Sequence, residues 1–203
     1  MKKTFYLFIT LFLSFIFSCT NSSNDKNPTI DFNDKGQVEN VSNKAIIKVI
    51  DEKYATISDE TMLYMLFDAT EIMNMSDEEQ KRVIADKKGT TTVYIKSENT
   101  EENIIIHKTE PVPLNKMLRY FRANAEQMLK EYFSNTGYSF EIIESQKNIY
   151  AGKYDYISFK TLLNGPDIRR YSSQYVFILN KEYYHIVINT YNDVNLNDLI
   201  SIE

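Results

Sequence analysis

Tryptophan is absent from this 203-residue chain, cysteine occurs once, histidine twice, proline four times and glycine five times. Each scarcity excludes something. A single cysteine forms no internal disulfide, so the folded part must be held by its apolar core. Two histidines, His107 and His185, are too few for a transition-metal centre, and no metal or cofactor is expected. Five scattered glycines build no phosphate-cradling loop. Positive charge is in deficit, with 23 Lys and Arg against 28 Asp and Glu for a net −5, which argues against nucleic acid as a partner. A long apolar run is also missing. The uncharged stretch Phe5 to Phe17 has 13 residues, short of the roughly 20 needed to cross a bilayer core of about 30 Å.

What is present begins at that stretch. Lys2 and Lys3 precede it and Ile16-Phe17-Ser18-Cys19 follows it, an arrangement that resembles the lipobox of bacterial lipoproteins. The resemblance implies that residues 1–18 are a signal peptide and that Cys19 is the lipidated first residue of the mature chain. Without Lys2 and Lys3 the balance becomes 21 against 28, a net −7, so the membrane contact is expected to be the lipid alone. Two or three acyl chains give a stable anchorage that one does not. Thr20, and not Asp, after Cys19 favours the outer membrane over the inner where a cell has two.

Residues 19–43 read as the lipidated cysteine and a flexible tether. The segment Thr20 to Pro28 is polar, and Ile30, Phe32 and Val38 are isolated. As a coil, about 24 residues reach roughly 25–30 Å, and about 80 Å when fully stretched. Asp31-Phe32-Asn33-Asp34-Lys35-Gly36 has the first, third and sixth residues of a calcium loop. Lys35 stands where an oxygen ligand belongs and Ser42 where the bidentate Glu belongs, so it reads as linker.

Residues 44–203 have the length of one domain. The β-branched run Ala45 to Ile50 and the segment Tyr54 to Ile57 predict strands. Met62, Leu63, Leu66, Phe67, Ile72 and Met73 recur at helical spacing after a Ser58 cap. Ser76-Asp77-Glu78-Glu79 is a capping box opening a helix through Ile84. Strands are expected at Thr91 to Lys96 and Asn103 to His107, joined by a solvated acidic loop from Ser97 to Glu102. Pro113 starts the longest helix, whose apolar face runs from Leu114 to Phe133 and which Gly137 stops. Strands then follow at Tyr138 to Glu144, Ile149 to Leu162, Tyr171 to Leu179 and Glu182 to Thr190, with Asn180-Lys181 as a tight turn. A short helix from Asn195 to Ile202 points Leu196, Leu199 and Ile200 inward. The class is α+β, a mainly antiparallel sheet flanked by helices.

Over residues 45–203 the order of elements resembles the PsbP-like superfamily. The C-terminal half carries the resemblance: Ile149-Tyr150-Ala151-Gly152-Lys153-Tyr154, then Ile157 and Phe159, an aromatic strand to Leu179, Tyr184-His185-Ile186-Val187-Ile188 and a closing helix. The resemblance implies an α/β/α sandwich and a role in binding or scaffolding. The superfamily shares no catalytic set, so it supplies no functional residues.

The residues themselves offer no catalytic constellation either. A nucleophile needs a base and an orienting group. His185 sits within an apolar strand, on the side of Tyr183, Val187 and Asn189, and reads as a hydrogen-bonded sheet residue. His107 reads as surface. Asp77-Glu78-Glu79 reads as a helix start. Recognition has a better candidate, since eight of the fifteen tyrosines fall between Tyr150 and Tyr191. Of these Tyr154, Tyr156, Tyr175, Tyr183 and Tyr184 are the candidate binding residues, because a tyrosine pairs a broad apolar ring with a polar tip. Arg169-Arg170 adjoin Tyr171 but point to opposite faces of a strand. The expectation is a lipid-anchored envelope protein that docks another envelope protein without catalysis. The alternatives are an envelope hydrolase acting on glycan or peptidoglycan, which calls for paired carboxylates or a carboxylate near His185, and a small-ligand carrier with a dry pocket beneath the long helix.

Overall fold

Residues 45–67, 69–111, 113–120, 127, 137–166 and 168–203 are described by the computed structural model of the protein. The expected signal peptide, the expected lipidation site Cys19, the expected tether and most of the helix expected after Pro113 lie outside the described residues. Among the described residues, fourteen elements follow in chain order. They are β1 (Ile47–Val49), β2 (Tyr54–Thr56), α1 (Asp59–Leu66), α2 (Ala69–Asn74), α3 (Asp77–Lys87), β3 (Thr91–Lys96), β4 (Asn99–Thr109), α4 (Leu114–Tyr120), β5 (Ser139–Tyr150), β6 (Tyr154–Asn164), β7 (Arg169–Leu179), β8 (Glu182–Thr190), α5 (Leu196–Leu199) and β9 (Ile200–Ile202). The protein is of the α+β class.

Two compact units account for these residues, one of 59–84 and one of 45–58 with 85–203. In the first, Met62, Leu63, Met65, Leu66 and Ile72 are buried, but the apolar stripe is divided between α1 and α2. The capping box forms as its sequence dictates. Ser76 N–H donates to Glu79 Oε2 at 2.8 Å and Glu79 N–H to Ser76 Oγ at 3.3 Å.

The second unit is built on seven antiparallel strands in the order β2-β3-β4-β8-β7-β6-β5. One face of this sheet presents Ile104, Ile186, Ile188, Tyr175, Phe177 and Leu179, and Leu196, Leu199 and Ile200 pack onto it from the C-terminal segment. Side chains buried this completely contribute about 1.5–3 kcal/mol each before entropy. The opposite face is more polar, with Asn103, Asn189, Ser172, Thr161, Gln174 and His185 all buried. Pro113 starts α4 by accepting the Met117 N–H at 3.0 Å.

Several boundaries differ from expectation for local reasons. The supposed strand from Ile149 to Leu162 is interrupted by a turn, because Ala151 and Gly152 take φ of 50° and 69° and end the pairing at Tyr150–Tyr154. The acidic loop is largely strand. Successive acidic residues alternate across β4 and each finds a cation, Glu102 pairing with Lys96 at 2.9 Å and Glu101 with Arg170 at 2.7 Å. The C-terminal helix stops at Leu199. Ile200-Ser201-Ile202 instead pair antiparallel with β1, matching Ile47 with Ile202 and Val49 with Ile200. The Asn180-Lys181 turn forms as expected, with φ of 52° and 66°, the left-handed pair that a two-residue hairpin requires.

Candidate functional site

Topology gathers the tyrosines that sequence spacing leaves scattered. β6 pairs with β7 so that Tyr156 lies opposite Phe177, and β7 pairs with β8 so that Phe177 lies opposite Tyr184. The β5–β6 turn and the Asn180-Lys181 turn are therefore neighbours at one end of the sheet. Tyr150, Tyr154, Tyr156, Tyr183 and Tyr184 all lie within a few residues of these two turns. Rigid strands holding short turns at one end is a common way to build a recognition surface.

The five candidates do not form one open patch. By strand alternation Tyr154, Tyr156, Tyr175 and Tyr184 share a face, and Tyr183 stands on the other with His185. Tyr175 is buried, 6% exposed, and belongs to the core. Tyr154, Tyr156 and Tyr184 are half-buried and pack against that core. The Tyr156 ring stacks on Phe177 at 4.8 Å, while Tyr150 meets Phe177 edge-on at 5.8 Å. Burial pushes the Tyr175 and Tyr184 hydroxyls up to about 12, Tyr184 aided by its hydrogen bond to Glu182 at 2.7 Å. Both stay protonated, and Tyr184 acts as a donor. Lys153 sits over the Tyr154 ring at 4.8 Å. Beside the turn, Ile149 is 60% exposed.

A second cluster on the tyrosine face was not foreseen. A bulge at Ile142/Glu144 brings Glu144 opposite Lys160, and Ser158 Oγ donates to Glu144. Lys160, nearly buried, donates to Asp193 at 2.5 Å and to the Val194 carbonyl at 3.2 Å. The bulge is the missed signal, since it reverses the side that simple alternation assigns to the end of β5. Through Asp193 and the Val194 carbonyl, Lys160 clasps the start of the C-terminal segment to the sheet.

His185 is a sheet residue, as its apolar flanks imply. Its Nε2 lies 3.0 Å from Gln174 Oε1 and its Nδ1 is buried without a partner. Burial depresses its pKa to about 3, with His107 adding repulsion. His107 is not a surface residue. It lies opposite His185 in the β4–β8 register and its Nδ1 is 2.7 Å from Thr91 Oγ1. Burial, and then Lys87, lowers it to about 4. Both imidazoles are neutral at pH 7. At the far end of the sheet Arg170 is buried, bonded to Glu101 and to the Tyr191 hydroxyl at 3.0 Å. Arg169 is exposed and lies 5.7 Å from the Tyr171 ring, so the two arginines do part company across the strand.

No protein-family model matches this chain, and no curated protein matches its sequence. Among the described residues, no three His, Cys, Asp or Glu are grouped to hold a metal ion, and no helix is long and apolar enough to cross a membrane.

Proposed function

We propose that the protein is a lipid-anchored docking module of the bacterial envelope, held through Cys19, that binds another envelope protein without catalysis. The supporting observation is the convergence of two aromatic hairpin turns at one end of a seven-stranded sheet. Their tyrosine bodies are fixed by packing, while the turn residues Ala151, Gly152, Lys153, Asn180 and Lys181 face solvent. Such rigid, amphipathic rings lose little conformational freedom on binding, which favours them at interfaces. The lipid anchor rests on the lipobox resemblance, and the PsbP-like arrangement is the sandwich we assign to this α+β sheet. The proposed tether gives the domain a search radius of roughly 25–30 Å from its anchor.

Photo-crosslinking in the native cells tests this reading. A photoreactive residue is placed at Ile149, at Lys181, or at Lys116 on α4 as a reference. We expect one envelope protein to be captured from the first two positions and not from the third, and to be lost when Cys19→Ser removes the anchor. Equal capture from all three, or none from Ile149 and Lys181, would sink the docking reading.

A further inference from the structure

Charge at the hairpin end differs from that of the whole chain, which carries net −5. The carboxylates of β6 and β8 nearest the two turns are already engaged. Glu182 pairs with Lys108 at 2.6 Å, and Asp155 with Lys147 at 3.2 Å. Lys153 and Lys181, one on each turn, are exposed, and among the described residues neither pairs with a carboxylate. The hairpins are adjacent through the β6–β7 pairing, so the turns are separated by about two strand spacings, roughly 10 Å. One cation is already placed, since Lys153 lies over the Tyr154 ring.

We infer that this end of the sheet receives an acidic segment of the partner protein, whose carboxylates meet Lys153 and Lys181 while its apolar side chains cover Tyr154 and its half-buried neighbours Tyr150 and Tyr156 on one face. This rests on the docking reading above and adds the partner's chemistry. A polypeptide fits better than a glycan. Sugar stacking needs a free ring face, but Lys153 occupies one face of Tyr154 and Tyr156 is stacked on Phe177. An anionic bilayer fits less well, because two lysines on a chain of net −5 give little attraction to it. Lysines at the rim of an aromatic patch steer an acidic partner and set its orientation.

The full chain in neutral detergent is titrated with a labelled random copolymer of glutamate and tyrosine, and binding is followed by fluorescence anisotropy. We expect saturable binding that weakens about tenfold between about 50 and about 300 mM salt. A lysine–tyrosine copolymer should not bind. Lys153→Glu with Lys181→Glu should weaken binding at least about tenfold, with an unchanged circular dichroism spectrum. Lys81→Glu with Arg82→Glu, both exposed on α3, should bind as wild type does. The inference is overturned if the hairpin variant binds undiminished, if the α3 variant loses as much, or if the copolymer is ignored while phosphatidylglycerol vesicles bind. Should the copolymer fail while the crosslinks from Ile149 and Lys181 persist, docking stands and the acidic partner falls. Copolymer binding without those crosslinks overturns both.

Discussion

Single residues decide how the buried sheet face tolerates charge. His185 is neutral in the native state, with a pKa near 3 set first by burial, whereas an unfolded histidine titrates near 6.5. Between those values the unfolded chain binds a proton that the native chain refuses. Stability is therefore complete above pH 6.5 and declines as pH falls, with a slope approaching about 1.4 kcal/mol per pH unit from His185. His107, held near 4 by burial and Lys87, steepens the decline. Urea unfolding at pH 7, 6 and 5, above the range where most carboxylates titrate, reads this directly. A flat profile would show that the imidazoles are not buried as described. Asn103 gives a second test. Its Oδ1 accepts from Asn189 Nδ2 at 2.9 Å, with both side chains buried. Asn103→Leu should cost about 2 kcal/mol by stranding a donor, whereas Asn103→Leu with Asn189→Leu should recover most of that. Equal losses in the single and double variants would contradict it.

At the scale of elements, the sequence discloses most strands because local chemistry sets them. Alternation and β-branching mark β3, β7 and β8, and Asn180-Lys181 marks their hairpin within a residue. Where prediction strays, the deciding partner is distant in sequence. Ile200 to Ile202 look helical until Ile47 to Val49, more than 150 residues away, offer a strand to pair with. Glu101 and Glu102 look like loop until Arg170 and Lys96 neutralise them. The candidate site was half legible. The tyrosines could be named from their spacing, but their division between core, rim and opposite face depends on register, and the placement of Glu144 beside Ser158 depends on a bulge. The turn itself carries strain. Lys181 adopts φ 66°, where glycine would sit without a Cβ penalty. Lys181→Gly should stabilise the protein by about 0.5 kcal/mol and, on the acidic-partner inference, weaken copolymer binding. Denaturation midpoints and anisotropy on the same sample would separate the two effects, and a destabilised variant would show that the strain is illusory.

At the scale of the molecule, the sheet must avoid growing. β5 is an edge strand of 12 residues, long enough to template another chain, and Ile143 and Ile149 are exposed on it. Two features blunt it, the bulge at Ile142/Glu144 and the charge of Lys147. Lys147→Ile should promote self-association that rises with concentration in light scattering, and Ile149→Ser in the same background should reduce it. A Lys147→Ile protein that stays monomeric would assign edge protection to the bulge alone.

The β1–β9 ribbon bears on how the chain could be rewired. Ile46 and Glu203 exchange backbone hydrogen bonds, N–H to O at 2.9 Å and 3.1 Å, so the first described strand and the last leave the domain side by side. A few glycines would join them into a closed loop, and the chain could be cut afresh at an exposed turn without disturbing the sheet. Opening it at Gly152 would, on the proposed function, route the tether out of the hairpin end itself and force a choice between anchorage and docking. A reporter fused after Glu203 would, in turn, emerge beside Ile46, so on the proposed anchorage through Cys19 its position would report where the domain is moored.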